Sequence, residues 1–112
     1  MTVQRLELNV AAEFSQTPGP RKRSEGEHSG EEFLDVLLRP SFVSAVEAGA
    51  LLHVDLDGAA GFPTSFLEEA FGGLAREFGA EKVLATIELS CTDEPYLADD
   101  INRFIREAKI AK

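Results

Sequence analysis

The chain has 112 residues, 44% of them hydrophobic, with eight Phe and no Trp, which is enough apolar volume for one core without staples. Twenty acidic against eleven basic residues leave a formal charge of −9, so nucleic acid and anionic lipid are set aside as partners. Cys91 stands alone, which excludes an intramolecular disulfide or a cysteine-based zinc site. No apolar run approaches the ~18–20 residues of a membrane span, and Met1–Arg5 lacks a signal peptide's pattern, so a cytoplasmic protein is expected.

In chain order, residues Arg5 to Ala11 alternate, with Leu6, Leu8 and Val10 on one side and Arg5, Glu7 and Asn9 on the other, which predicts a half-exposed strand. Residues 15–29 form a long polar loop rich in turn formers, with room for a short hairpin. Ser29-Gly30-Glu31-Glu32 has the form of a capping box that opens a helix on Phe33, Val36 and Leu37. Pro40 interrupts that pattern, so two short helices or one kinked helix are expected, ending near Gly49. Leu51 to Asp57 reads as a strand, with Leu52, Val54 and Leu56 on its apolar face. A second helix is predicted from Ser65 to Phe78 with Gly79 at its C-terminus, then a strand from Val83 to Leu89. A last helix follows Pro95 and carries Leu97, Ile101, Phe104, Ile105 and Ala108 on one side. Strands alternating with helices predict a single α/β domain over residues 1–112. It is a small mixed sheet of about four strands, the fourth hidden in residues 11–27, covered by three or four helices.

Ser65 opens a second capping-box pattern, Ser65-Phe66-Leu67-Glu68, so it reads as a helix cap. The second reading is a phosphoacceptor, because a phosphate there would meet the helix N-terminus and add charge beside Glu68 and Glu69. Thr64 is the neighbouring alternative. Arg21-Lys22-Arg23 is either a solvated loop or a docking patch for an anion or partner. Gly72-Gly73 costs helix stability and therefore implies either close packing against the sheet or a flat contact for a partner. His53, Asp55 and Asp57 share a predicted strand face with metal-ligand spacing, which His28 could join. An ordinary polar sheet face is the plainer reading, and no metal or other cofactor is expected. Cys91 has no evident histidine partner, no Gly-x-Ser-x-Gly elbow is present and no glycine-rich phosphate fingerprint occurs, so enzymatic activity is not expected.

The strand, the Thr17-Pro18-Gly19-Pro20-Arg21 loop, the Ser29-Gly30-Glu31-Glu32-Phe33 helix start, the strand ending Val54-Asp55-Leu56-Asp57-Gly58 and the helix Ser65-Phe66-Leu67-Glu68-Glu69-Ala70-Phe71-Gly72-Gly73-Leu74 occur in a familiar order. From about Phe14 to Ala108 the chain resembles a bacterial STAS-like domain family of unknown function. That family looks like a relative of the STAS domains of anti-sigma factor antagonists and sulphate transporters. The resemblance implies a small sheet with alternating helices and a non-enzymatic regulatory module. Its partner would be a histidine-kinase-like ATPase or anti-sigma factor, with phosphorylation at the start of a helix after a central strand. By position that residue is Ser65, with Thr64 beside it. Pro63 stands where an Asp usually precedes the hydroxyl pair, and Phe66 where a Gly usually follows. The docking surface expected around this site comprises Phe62, Phe66 and Glu69, with Arg21, Lys22 and Arg23 from the loop. The alternative function is a small-molecule or anion-sensing domain built from the long loop and the N-terminus of the second helix.

Overall fold

A computed structural model describes residues 4–108. Strand β1 is Arg5–Asn9, and the chain then turns into a single helical turn, α1, Val10–Glu13. The predicted strand is cut short because Asn9 caps that turn. Its Oδ1 accepts from the Ala12 N–H (2.8 Å), and Glu13 accepts from the Asn9 N–H (2.7 Å). Helix α2 runs without a break through Gly30–Phe33, a π-turn Leu34–Leu38 and Arg39–Ala48. Pro40 has no N–H to give, and the wide turn just before it absorbs the missing bond, so one helix survives where two were open to expectation. Ser29 caps it as predicted, its Oγ accepting from Glu32 N–H at 3.0 Å, and Gly49 closes it in the left-handed region.

Strand β2 is Leu51–Asp55. Helix α3 follows through Thr64–Leu67, a π-turn Glu68–Gly72 and Gly73–Phe78, closed by Gly79. Residues 80–86 then overturn an expectation. They form helix α4, Ala80–Thr86, and strand β3 is only Ile87–Ser90. The alternation of Val83, Ala85, Ile87 and Leu89 coexists with a helical spacing in which Val83 alone of residues 80–86 is buried. Ala, Glu, Lys and Leu around it favour helix. Helix α5, Tyr96–Glu107, begins after Pro95 as predicted and buries Leu97, Ile101 and Ile105.

The sheet has three strands in the order β1-β2-β3, and both pairings are parallel. The expected mixed sheet of about four strands is thereby corrected. Residues 11–27 contribute no strand, because the loop's polar backbone is committed to the start of α2. Pro20 and Arg21 carbonyls accept from the Gly30 and Glu31 N–H groups (2.8 and 3.0 Å), and Gly19 N–H donates to the His28 carbonyl (2.8 Å). The register aligns Leu6, Leu52 and Ile87 in one row and Leu8, Val54 and Leu89 in the next. Helices α2 and α4 cover that apolar face. The other face carries Arg5, Glu7, Asn9, His53, Asp55, Glu88 and Ser90 and stays at the surface, with the Arg5 and Glu7 side chains 51% and 65% exposed. Phe33, Phe42, Phe66 and Phe71 are fully buried, and the other four Phe pack against the same core.

Candidate functional site

The start of α3 is built by Pro63, whose φ of −60° and ψ of 140° place it as the cap residue, with no side-chain cap bond. Ser65 therefore does not cap the helix. Thr64 and Ser65 are the first and second residues inside it, Thr64 exposed and Ser65 half-buried. The ψ of Pro63 makes it the last extended residue, so the helix starts one residue before Ser65 and the capping-box reading of Ser65 and Glu68 fails at its first position. Glu68 does not reach back either. It is gripped from both sides, Oε1 accepting from Arg21 and Oε2 from Arg76 Nη1 at 2.6 Å. Burial pushes the Glu68 carboxyl up, but its hydrogen bonds to Arg76 and Arg21 prevail and hold it below the ordinary glutamate value.

The expected docking residues part company here. Phe66 is fully buried, stacked on Phe33 with ring centroids 5.6 Å apart, and so offers no surface to a partner. Its place in the helix turns it inward, one turn from Ala70 in the core stripe. Phe62 is half-buried and leans on Phe66 at 5.9 Å. Glu69 accepts from Lys22 Nζ (3.0 Å) and pairs with Arg21 Nη1 (3.4 Å). Arg23 reaches α2 instead, pairing with Asp35 at 3.0 Å while its N–H donates to Glu31. Each member of the basic triplet is thus engaged by a carboxylate of the same chain, and the triplet lashes the long loop to α2 and α3. Glu68 raises the Arg21 pKa through its hydrogen bond, against the cost of burial.

Gly72-Gly73 is explained by close packing, but not against the sheet. A Cβ on Gly72 would lie 2.6 Å from Glu68 Oε2, in the path of the Glu68–Arg76 bond, and one on Gly73 would lie 2.8 Å from Leu34 Cδ2 of α2. The sequence reading missed the Glu68–Arg76 bond, since residues two turns apart are not ordinarily scored as helix neighbours. The glycine midway between them was the available signal.

His53, Asp55 and Asp57 do not converge. His53 Nδ1 meets Glu7 Oε1 at 2.7 Å, directly across the β1–β2 pairing. Asp55 accepts from Asn9 Nδ2 at 3.1 Å. The strand ends before Asp57, whose carboxylate accepts from Thr92 Oγ1 (2.6 Å) and Asp93 N–H (2.9 Å). Those bonds, the Asp93 backbone first, hold Asp57 below its ordinary value. Gly58 N–H returns a bond to Asp93 Oδ2 (3.3 Å), so the loops after β2 and β3 are tied together. Among the described residues no group of three His, Cys, Asp or Glu is placed to hold one ion. His28 instead sets its ring edge-on against Phe14 at 5.7 Å. At the other end of the tied loop, the Tyr96 hydroxyl donates to Glu94, which raises its pKa.

Among the described residues no helix is long and apolar enough to cross a membrane. No curated protein and no solved structure matches the chain. A family model does match, over residues 29–97, more than half of the chain and a narrower stretch than the resemblance from Phe14 to Ala108. The match covers α2, β2, α3, α4, β3 and the first residues of α5, and so includes Thr64 and Ser65. The chain belongs to the family described as a STAS-like domain of unknown function.

Proposed function

We propose that the chain is a non-enzymatic regulatory module that binds a protein partner, and that phosphorylation at the start of α3 controls the binding. The partner is a histidine-kinase-like ATPase of the anti-sigma type, with Ser65 the phosphoacceptor and Thr64 the alternative. One observation carries the reading: Pro63 caps α3, so neither hydroxyl is needed as its N-cap. Helix stability alone therefore does not account for two adjacent hydroxyl residues in that first turn. A phosphate there would add about −1.5 to −2 charges one turn from Glu68 and Glu69, whose own charges are already balanced by Arg21, Lys22 and Arg76. The docking surface consists of Phe62, Pro63 and Thr64 on the approach to α3, without Phe66.

The test is affinity capture from the source organism's lysate with wild type, Ser65→Asp and Ser65→Ala. An acidic residue in the first turn suits the helix dipole, so the fold should hold in all three. The expected outcome is an ATPase retained by wild type and Ser65→Ala and lost by Ser65→Asp, and a serine that gains one phosphate from that ATPase and ATP. Identical partner sets for all three chains, with no mass gained, would sink the switch.

A further inference from the structure

Strand β1 is an edge of the sheet, pairing among the described residues only with β2. In a parallel ladder alternate residues turn their N–H and C=O toward the neighbour. Leu51 N–H donates to the Gln4 carbonyl at 2.9 Å, so the even-numbered residues of β1 face β2 and Arg5, Glu7 and Asn9 face outward. Glu13 takes the Asn9 N–H, as an outward amide allows. The free edge is therefore Arg5 and Glu7, one basic and one acidic residue on either side of Leu6.

That pattern is complementary to itself. We infer that β1 pairs antiparallel with β1 of a second copy of this chain, about a two-fold axis through Leu6. The axis sets Arg5 opposite Glu7 of the second copy and Glu7 opposite its Arg5. Both are outward residues, so each pair exchanges both of its N–H···O bonds. Their side chains share the polar face, where opposite charges across a pair are favourable. Arg5 holds Glu88 through Nε and Nη2 (2.5 and 3.2 Å), which leaves Nη1 for a second carboxylate. Glu7 holds His53 through Oε1 and keeps Oε2. Leu6 meets Leu6 of the second copy on the apolar face. An open groove of about 430 Å³ runs beside the strand, lined by Leu6, Leu52, Pro40, Ser41 and Ser44 and bordered by Arg5 and Glu7. Strand β3 offers no such match, because Ile87-Glu88-Leu89-Ser90 has an acidic residue and no basic one. The result is one continuous sheet through both copies that hides the β1 edges.

The register is tested by charge exchange. Arg5→Glu sets acid against acid in its own dimer, and Glu7→Arg sets base against base, yet mixing the two variants restores both pairs. By sedimentation at about 0.1 mM chain, within reach of a micromolar interface, wild type is expected at the mass of two chains. Each variant alone is expected at one chain, and the equimolar mixture at two. A second measurement leaves the charges intact. Leu6→Cys with Cys91→Ser is expected to oxidise to a covalent dimer, because the axis brings two position-6 Cα atoms within the roughly 4.4–6.8 Å that a disulfide spans. Wild type at the mass of one chain would overturn the inference. So would a mixture no heavier than its components, or a Leu6→Cys chain that stays a monomer on oxidation.

Discussion

Gly30 and Gly73 separate two kinds of close approach. A Cβ on Gly30 would lie 2.6 Å from the Phe66 carbonyl oxygen, which is backbone in the first turn of α3 and cannot step aside. Gly30→Ala is therefore expected to cost about 1–3 kcal/mol in urea unfolding, the range for overpacking. At Gly73 the obstacle is a terminal methyl of the Leu34 side chain, which can turn about its own bonds, and Ala gains up to ~1 kcal/mol of helix propensity, so Gly73→Ala should lie near neutral. Glu68 gives a pH test. Its folded pKa lies below the ordinary 4.5, so its contribution is complete above that value and is lost as pH falls through the lower folded value. Glu68→Gln is expected to destabilise the chain by about 1–2 kcal/mol at neutral pH, as expected for charge-assisted bonds at a half-exposed site. Melting at neutral pH and near pH 3 should show the gap between wild type and mutant closing in acid. A gap that persists would mean the carboxylate's charge is not what holds Arg21 and Arg76.

At the scale of elements, the loop before α2 owes its place to ion pairs and carbonyl caps more than to burial. Residues 21–27 are mostly exposed, whereas Ser15 and Pro18 are buried. Removing both Arg21 and Lys22 side chains (Arg21→Ala with Lys22→Ala) should raise amide exchange in residues 19–28 while α5 amides stay protected. Unchanged loop exchange would assign its order to Phe14 and the aromatic packing beneath it. The same contrast explains what the sequence could and could not disclose. Helix ends with local chemistry were legible: Ser29, Gly49, Gly79 and Pro95 mark boundaries through their own backbone preferences. The apolar rows of β1 and β2 were legible through alternation. Residues 83–86 were not, since Val83 and Ile87 satisfy a strand and a helix period at once and only packing decides. The inward turn of Phe66 was legible, because Phe66, Ala70 and Leu74 recur at helical spacing and all three are buried. The basic triplet's partners, 12 to 48 residues away in sequence, are set by tertiary approach that no local pattern encodes.

For the whole molecule, net charge and edge complementarity pull in opposite directions. Two bodies of −9 with centres about 30 Å apart repel by on the order of 10 kcal/mol unscreened. Screening reduces this to roughly 4 kcal/mol at about 0.01 M salt and a few tenths at about 0.15 M. The exposed Arg5–Glu7 pairs, each worth ~1 kcal/mol or less, weaken far less in absolute terms. Pairing through β1 is therefore expected to tighten as salt rises over that range, a trend sedimentation can follow. Weakening over the same range would mean that local charge pairs dominate the association.

The Tyr96 hydroxyl bonded to Glu94 has a practical consequence. The chain has one tyrosine and no tryptophan, so nearly all its ultraviolet emission comes from that ring. A carboxylate that accepts the phenol's proton bond dims such emission, and Glu94 sits in the loop that Asp57 fastens to the end of β2. The unlabelled protein thus carries its own optical gauge at this edge of the sheet. Its light should brighten whenever the loop draws Glu94 away from Tyr96, and a fluorimeter would follow the event in real time.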